Sequence, residues 1–364
     1  MKLSLLTGYL EEIAPLNYQE SYDNSGLLTG NPEMNINNAL ITLDCTEKVI
    51  EEAIKKNCNL IISHHPLIFG GITKLTGSNN VERALIRAIK KNIAIYAIHT
   101  NLDNVLCGVN SIIAEKLELC NAKILLPRKH TLKKLFTFCP VDKAEKVRGA
   151  LFKAGAGEIG KYSECSFNAK GTGTFKASDT ANPYVGQRGT RHHEEEIRIE
   201  AVFASHLERK ILEALFKSHP YEEVAYDIVS LENNHSEVGA GMIGDLNNPM
   251  GELHFIKKVK KVMNCKSLQY TDLTGKKVSK VAVCGGSGGY LLNHAIENSA
   301  DVFITSDIKY HQFFEADGKI LIVNIGHYEC EQFTKLLIYD LINKKFPKFA
   351  LHLSEIKTNP INYL

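Results

Sequence analysis

The chain has 364 residues, 44% apolar and 23% charged, with a formal net charge of +2, a length that exceeds one core and suits two at about 150 residues per domain. The small charge speaks against a nucleic-acid partner, and no apolar run approaches the ~20 residues of a membrane span. Nine cysteines without a C-x-x-C pair speak against a disulfide framework or a structural zinc knuckle, and suit reduced thiols in a cytoplasmic protein.

The N-terminus turns acidic at Glu11-Glu12, too early for a secretory signal, and reads as an amphipathic helix with Leu6, Tyr9, Leu10 and Ile13 inward. A strand over 39–44 follows, then a helix over 47–57 with Val49, Ile50, Ala53 and Ile54 on one face. Next come a strand over 60–63, a helix over 80–91, a strand over 93–98 and a helix over 109–117. Strands alternating with helices predict a parallel or mixed sheet covered on both faces.

From about 132 the pattern changes: strand 135–139, helix 143–154, a strand near 162–167 and a Gly/Thr/Ser-rich stretch over 171–190. Strand 196–203, helix 207–218 and strand 225–228 complete a β-α-β-β-α-β order, that of a ferredoxin-like fold. The first pattern then resumes, with strands over 278–284, 302–305 and 320–325. The basic run Lys257-Lys258, Lys260-Lys261 reads as a solvated helix face. The fold class is thus α/β, a three-layer outer domain with a mixed or parallel sheet. It spans 1–130 and 236–364 and is interrupted by a ferredoxin-like α+β insert over 131–235.

Three apolar strands end in polar clusters: His64-His65-Pro66, His99-Thr100-Asn101-Leu102-Asp103 and Gly326-His327-Tyr328-Glu329-Cys330-Glu331. Histidine and carboxylate gathered at parallel strand ends is how α/β proteins assemble a metal or substrate site. Pro66 favours a strand-to-loop exit, and in a loop both preceding imidazoles can converge on one region. His327 and Glu331 share a face if a helix starts near His327. His99 reads as a ligand or as the hydrogen-bond partner of one, with the second role favoured. Asp103 alone would pass for an N-cap or Asx turn.

Three histidines and two carboxylates exceed one tetrahedral site with an open position, and they match two ions sharing a bridging carboxylate. Imidazole and carboxylate without thiolate suit Zn, Fe, Mn or Ni better than Ca. Gly285-Gly286-Ser287-Gly288-Gly289 reads either as an anion-binding turn or as a tight strand-to-helix turn. Asp307, with Tyr310 and His311, follows another strand and could supply acid–base or substrate contacts, and Asp44 ends the first strand in a similar place.

These motifs, together with Tyr22-Asp23-Asn24-Ser25-Gly26-Leu27 and Thr305-Ser306-Asp307, resemble the GTP cyclohydrolase 1 type 2 homolog family, also called NGG1-interacting-factor-3-like. The resemblance implies a dinuclear divalent-metal site of His64, His65, Asp103, His327 and Glu331, with Glu331 as the bridge and Zn, Fe or Mn as the ions. It implies metal-dependent hydrolysis of a small molecule such as GTP or another nucleotide, with Asp307 and His311 as catalytic candidates. A phosphoesterase or nuclease, or a non-catalytic metal-handling assembly, would use the same residues. Tyr22 stands where the family has Trp, and Ser306 where it often has Gly. In the insert, Gly173-Thr174-Phe175, Ala181-Asn182-Pro183-Tyr184 and His219-Pro220-Tyr221-Glu222-Glu223 resemble the longer bacterial members, whose insert is similar to PII-like and CutA-like trimeric modules. The resemblance further implies a homohexamer with its metal sites facing an internal cavity.

Overall fold

Asn38–Thr42, Leu60–Ser63 and Ala94–Ala97 are apolar at almost every position, the pattern of strands buried on both faces. In the computed structural model, which describes all 364 residues, they pair in parallel in one five-stranded sheet. Gly26–Thr29 adds antiparallel at one edge and Ala350–Leu353 parallel at the other. Alternate residues face two cores. Ile41, Leu60, Ile62 and Tyr96 pack with Leu3, Leu6 and Leu10 of the N-terminal helix and with Ile338 and Ile342 of Thr334–Lys345. Leu40, Ile61 and Ile95 pack with Val49, Ile50 and Ala53 of Glu47–Lys55 and with Ala84 and Ala88 of Asn80–Lys90. Thr46 and Asn79 cap those last two helices through their side-chain oxygens. Tyr9 and Ile13 of the first helix are only half-buried, and Leu3 takes the inward place instead.

A second sheet has six strands in the order Gln269–Tyr270, Leu321–Asn324, Val302–Ser306, Lys277–Ser287, His235–Gly251, Leu119–Arg128. Its three central strands, Lys277–Ser287, Val302–Ser306 and Leu321–Asn324, run parallel. They too divide between two cores. Val281, Val283, Ile304 and Val323 meet Phe255 and Val259, while Ala282, Phe303 and Ile322 meet Leu292 and Ala295. Both sheets belong to one unit, Met1–Pro127 with Glu237–Leu364, so the chain is mixed α/β. The basic face of Glu252–Val262 is solvated at Lys257, Lys260 and Lys261. No helix is long and apolar enough to cross a membrane.

The second unit is Arg128–Ser236. It is a four-stranded antiparallel sheet in the order Phe167–Lys176, Arg191–Ala204, Leu132–Pro140, Tyr226–Ser230. Helices Ala144–Lys153 and Glu208–Ser218 cover one face, burying Leu135, Val147, Leu151, Ile199, Phe203, Ile211 and Leu215. Here the sequence reading is corrected. The strand expected near 162–167 begins at Phe167 and runs through the glycine-rich stretch to Lys176, with partners from Glu200 to Arg191. Gly171 and Gly173 are tolerated because this is an edge strand, and at Gly173 a Cβ would lie 2.1 Å from Glu196 Oε2.

Candidate metal centre

The carboxyl ends of the two parallel strand sets supply one constellation. His64 and His65 follow Leu60–Ser63, His99 follows Ala94–Ala97, and Asp103 closes the short helix Thr100–Asp103. From the other sheet, Asp307 follows Val302–Ser306, and the helix His327–Glu331 carries its first and last residues inward. Donor atoms of His65, His327 and Glu331 lie within 4.8 Å of one another, as do those of His64, His65 and His99.

Each imidazole has its Nδ1 committed. His64 Nδ1–H donates to Ile98 O at 2.8 Å, His65 Nδ1–H to Asp44 Oδ1 at 2.7 Å, and His327 Nδ1–H to Asp307 Oδ2 at 2.6 Å. His99 Nδ1 pairs with Asp23 Oδ1 at 2.7 Å. Fixing one ring nitrogen decides where the other points. The Nε2–H groups of His65 and His327 then converge on the same oxygen, Glu331 Oε2, at 2.9 and 3.1 Å.

The aspartates are anchored in turn. Asp44 accepts from the Thr358 hydroxyl, and Asp307 from the Ser287 hydroxyl at 2.5 Å. Asp23 accepts from the Thr100 amide and hydroxyl and from Ser25 Oγ. Asp307 sits at φ 55°, a left-handed backbone that Asp adopts more readily than bulkier residues, and this turns its carboxylate back toward His327.

Electrostatics divides the histidines. Burial pushes His64 down to about 3, so its imidazole is neutral. Burial also opposes charge on His65, but the hydrogen bonds to Asp44 and Glu331 outweigh it and raise the ring to about 9. The same competition, with Asp307 and Glu331 as partners, raises His327 to about 11. Burial, reinforced by the charge of Glu331, holds the Asp103 carboxyl well above the usual carboxylate range. Glu331 is held well below it, because the bonds from His327 and His65 overcome the burial.

The donor set passes a direct test for a cation. With its Nδ1–H given to a carbonyl, neutral His64 presents a lone pair at Nε2, and that atom is buried without a partner. It faces Asp103 Oδ1 at 3.7 Å and Glu331 Oε1 at 3.9 Å, and the Asp103 oxygen is itself buried and unpartnered. Three acceptors turned toward one another in a low-dielectric place repel, unless a proton or a metal ion lies among them. On the other side, the two imidazole N–H groups occupy the direction from which His65, His327 and Glu331 would hold an ion. The adjoining cavity of about 530 Å³ carries Glu20, Asp44, Asp103 and Glu331 on its wall and neither lysine nor arginine, which favours cations. Tyr22, Phe69 and Tyr290 supply aromatic surface there.

All five expected ligands share this region, although Asp103 approaches it from the His64 side only. His99 lies beside His64 and His65, with ring centroids 5.2 Å from each. Asp307 contacts His327. His311 is not brought in: it is exposed and packs against Tyr310 and Phe314. The glycine-rich run ends the strand Lys277–Ser287 and turns into the helical segment Gly289–Leu291, and two of its amides are engaged. Gly285 N–H donates to Asn110 Oδ1, and Gly288 N–H to Thr305 Oγ1. Its glycines make room, since a Cβ on Gly286 would stand 2.5 Å from Glu331 Oε1. Sequence reasoning missed the pairing of Asp23 with His99, although Asp23 lies in a motif it had singled out. It also missed Thr358, for which no local signal exists.

Residues 1–360 match the Duf34/NIF3 (NGG1p interacting factor 3) family. The chain is 39% identical over 360 residues to a Bacillus subtilis (strain 168) protein named GTP cyclohydrolase 1 type 2 homolog, covering 97% of this chain and 96% of that one. A solved Bacillus cereus structure, described as a protein related to NIF3, superposes with a TM-score of 0.86 at 36% identity and covers 100% and 99% of the two chains. A Staphylococcus aureus structure gives a TM-score of 0.79 at 29% identity, again over 100% and 99%. With the match running through all three strand-end clusters and the inserted segment, the chain belongs to the Duf34/NIF3 family.

Proposed function

We propose that this chain binds two divalent cations and hydrolyses a small molecule, with a nucleotide as the substrate class. The observation that carries the proposal is the set of unpartnered acceptors, His64 Nε2 and Asp103 Oδ1, facing Glu331 Oε1 while Glu331 Oε2 gathers His65 and His327. In this reading His64, Asp103 and Glu331 would hold one ion, and His65, His327 and Glu331 would hold the other. Zn, Fe or Mn fits such imidazole and carboxylate donors. Bound there, the cations would acidify a water and polarise the bond under attack.

The chain's own groups do the rest. Asp44 and Asp307 keep Nε2 of His65 and His327 aimed inward, and Asp23 does so for His99. Tyr22, Phe69 and Tyr290 line the cavity and would offer aromatic surface to a planar base. Asp307 acts through His327 rather than on substrate. His311, the other member of the catalytic pair expected from sequence, does not line the cavity and has no part in this reading.

The name of the Bacillus subtilis relative supports GTP as the first compound to try. The strand order of Arg128–Ser236, with the first strand between the third and fourth, is that of a ferredoxin-like fold, and it supports the reading of a PII- or CutA-like insert. Family resemblance alone supports a cytoplasmic homohexamer, which light scattering would test.

The decisive experiment loads purified protein with defined Zn, Fe or Mn and assays GTP and a generic phosphodiester beside His65→Ala. Metal-dependent turnover that the variant loses supports a hydrolase. Turnover surviving in a metal-free variant overturns it. Stoichiometric metal without turnover of any nucleotide favours the second reading, a non-catalytic metal-handling assembly.

A further inference from the structure

Three insert motifs converge on one cavity of about 810 Å³, which none of the metal centre's residues lines. Gly173-Thr174-Phe175 lies on the edge strand, Tyr184 in the loop that follows it, and Tyr221-Glu222-Glu223 beyond the second helix. The loops are held in place. His219, itself buried, donates Nε2–H to Phe138 O at 2.9 Å and accepts the Tyr221 amide on Nδ1 at 3.1 Å. The Asn182 amide donates to Glu222 Oε1 at 2.7 Å, tying one loop to the other.

The cavity has a carboxylate at its base. Glu196 is only 9% exposed, and its Oε1 accepts the Tyr221 hydroxyl at 2.8 Å. Its Oε2 takes no hydrogen bond or ion pair from the protein, and it rests against Gly173, where any side chain would displace it. The nearest chemistry is aromatic. Phe175 and Tyr184 lie with ring centroids 6.4 and 6.2 Å from Tyr221, their planes inclined to it by 57° and 51°. Arg198, Lys170 and Lys176 also line the cavity, but Arg198 pairs with Glu200 at 3.0 Å and lies over Phe136, and the two lysines stand exposed, none of them pairing with Glu196.

A sunken carboxylate with one free oxygen, walled by three inclined rings, suits a cation. The carboxylate supplies the countercharge, and the ring faces attract the ammonium and its apolar body. The cavity's cations are all at exposed positions and Arg198 is already paired with Glu200, so the charge at the buried end is that of Glu196, which an anion would meet. We infer that this cavity of the insert is a binding site for a small organic cation, an amine carried on an aromatic or other apolar body.

The test titrates the full-length protein with benzylamine and benzyltrimethylammonium, and with benzyl alcohol as the neutral counterpart, by ligand-observed NMR and calorimetry. The expected result is saturable binding of both cations at about 1 mM or below, with the alcohol at least about tenfold weaker. Glu196→Gln should abolish that preference. Because this change also touches Tyr221, Tyr184→Leu at the half-exposed wall serves as a second variant and should weaken both cations about fivefold. Metal content should be unchanged in both variants. Equal binding of the alcohol, unchanged binding in both variants, or no saturable binding at all would overturn the inference. So would binding that appears only after the oligomer is dissociated, since a second copy would then be the true occupant.

Discussion

Replacing Asp44 by Asn tests whether the aspartates behind the histidines build the metal centre. Asn keeps the shape and one acceptor oxygen for His65 Nδ1–H, so the change removes charge and little else. The bond lost is a 2.7 Å charge-assisted contact, with the Asp44 side chain 33% exposed and that of His65 15% exposed. Charge-assisted hydrogen bonds contribute about 1.5–3 kcal/mol and neutral ones about 0.5–1.5, so the difference is about 1–2 kcal/mol. At 1.4 kcal/mol per factor of ten, metal affinity should fall by about 5–30-fold. Asp307→Asn should cost less, because Asp307 and His327 are 48% and 36% exposed and water screens the pair. The assay is a chelator-competition titration at pH 7.5, with circular dichroism to exclude unfolding. Wild-type affinity in Asp44→Asn, alongside complete loss in His65→Ala, would refute the reasoning.

Metal binding should release protons. At pH 7.5 the metal-free protein carries protons on His65 (about 9) and His327 (about 11), so calorimetry in buffers of different ionisation enthalpy should report release of about two per chain. The same shifts set a stability slope. His65 is raised in the fold above its ordinary value of 6.5, so its stabilisation is full below about 6.5 and lost as pH rises through about 9. Urea midpoints of the metal-free protein should therefore fall across that window, and the loss should shrink once metal has replaced the proton. Gly286→Ala forces a Cβ to within 2.5 Å of Glu331 Oε1 at a φ of 65°. It should cost about 1–2 kcal/mol in thermal stability and abolish tight metal binding, as read by melting and metal analysis. Glu82 accepts the amides of Thr76, Gly77 and Ser78, and Glu82→Ala should expose residues 67–78 to limited proteolysis while metal content stays intact.

The strand ends were legible because parallel strands buried on both faces leave polar residues only where the chain exits, as at His64-His65-Pro66. Glu331 was legible through its spacing from His327. What escaped was non-local. Asp44 and Thr358 meet across 314 positions, and Asp23 reaches His99 across 76. No window on the sequence relates such residues. The glycine run was ambiguous for another reason: a turn that offers its amides to an anion and a turn that clears space for a carboxylate use the same residue. Only the packing of Gly286 against Glu331 separates them. In the insert, glycines hid a strand whose pairing with Arg191–Ala204 outweighs its weak intrinsic preference.

His65 and Glu331 are separated by 266 positions, and this has a consequence for how the protein is made. At about 5–20 residues per second, roughly 13–53 s pass between synthesis of the first and synthesis of the second. During that interval the growing polypeptide presents His64 and His65 without the carboxylate that would close the centre. On the two-ion reading, a product that stops before Glu331 would lack the carboxylate shared by both histidine sets, so tight metal capture would wait until that residue has been made.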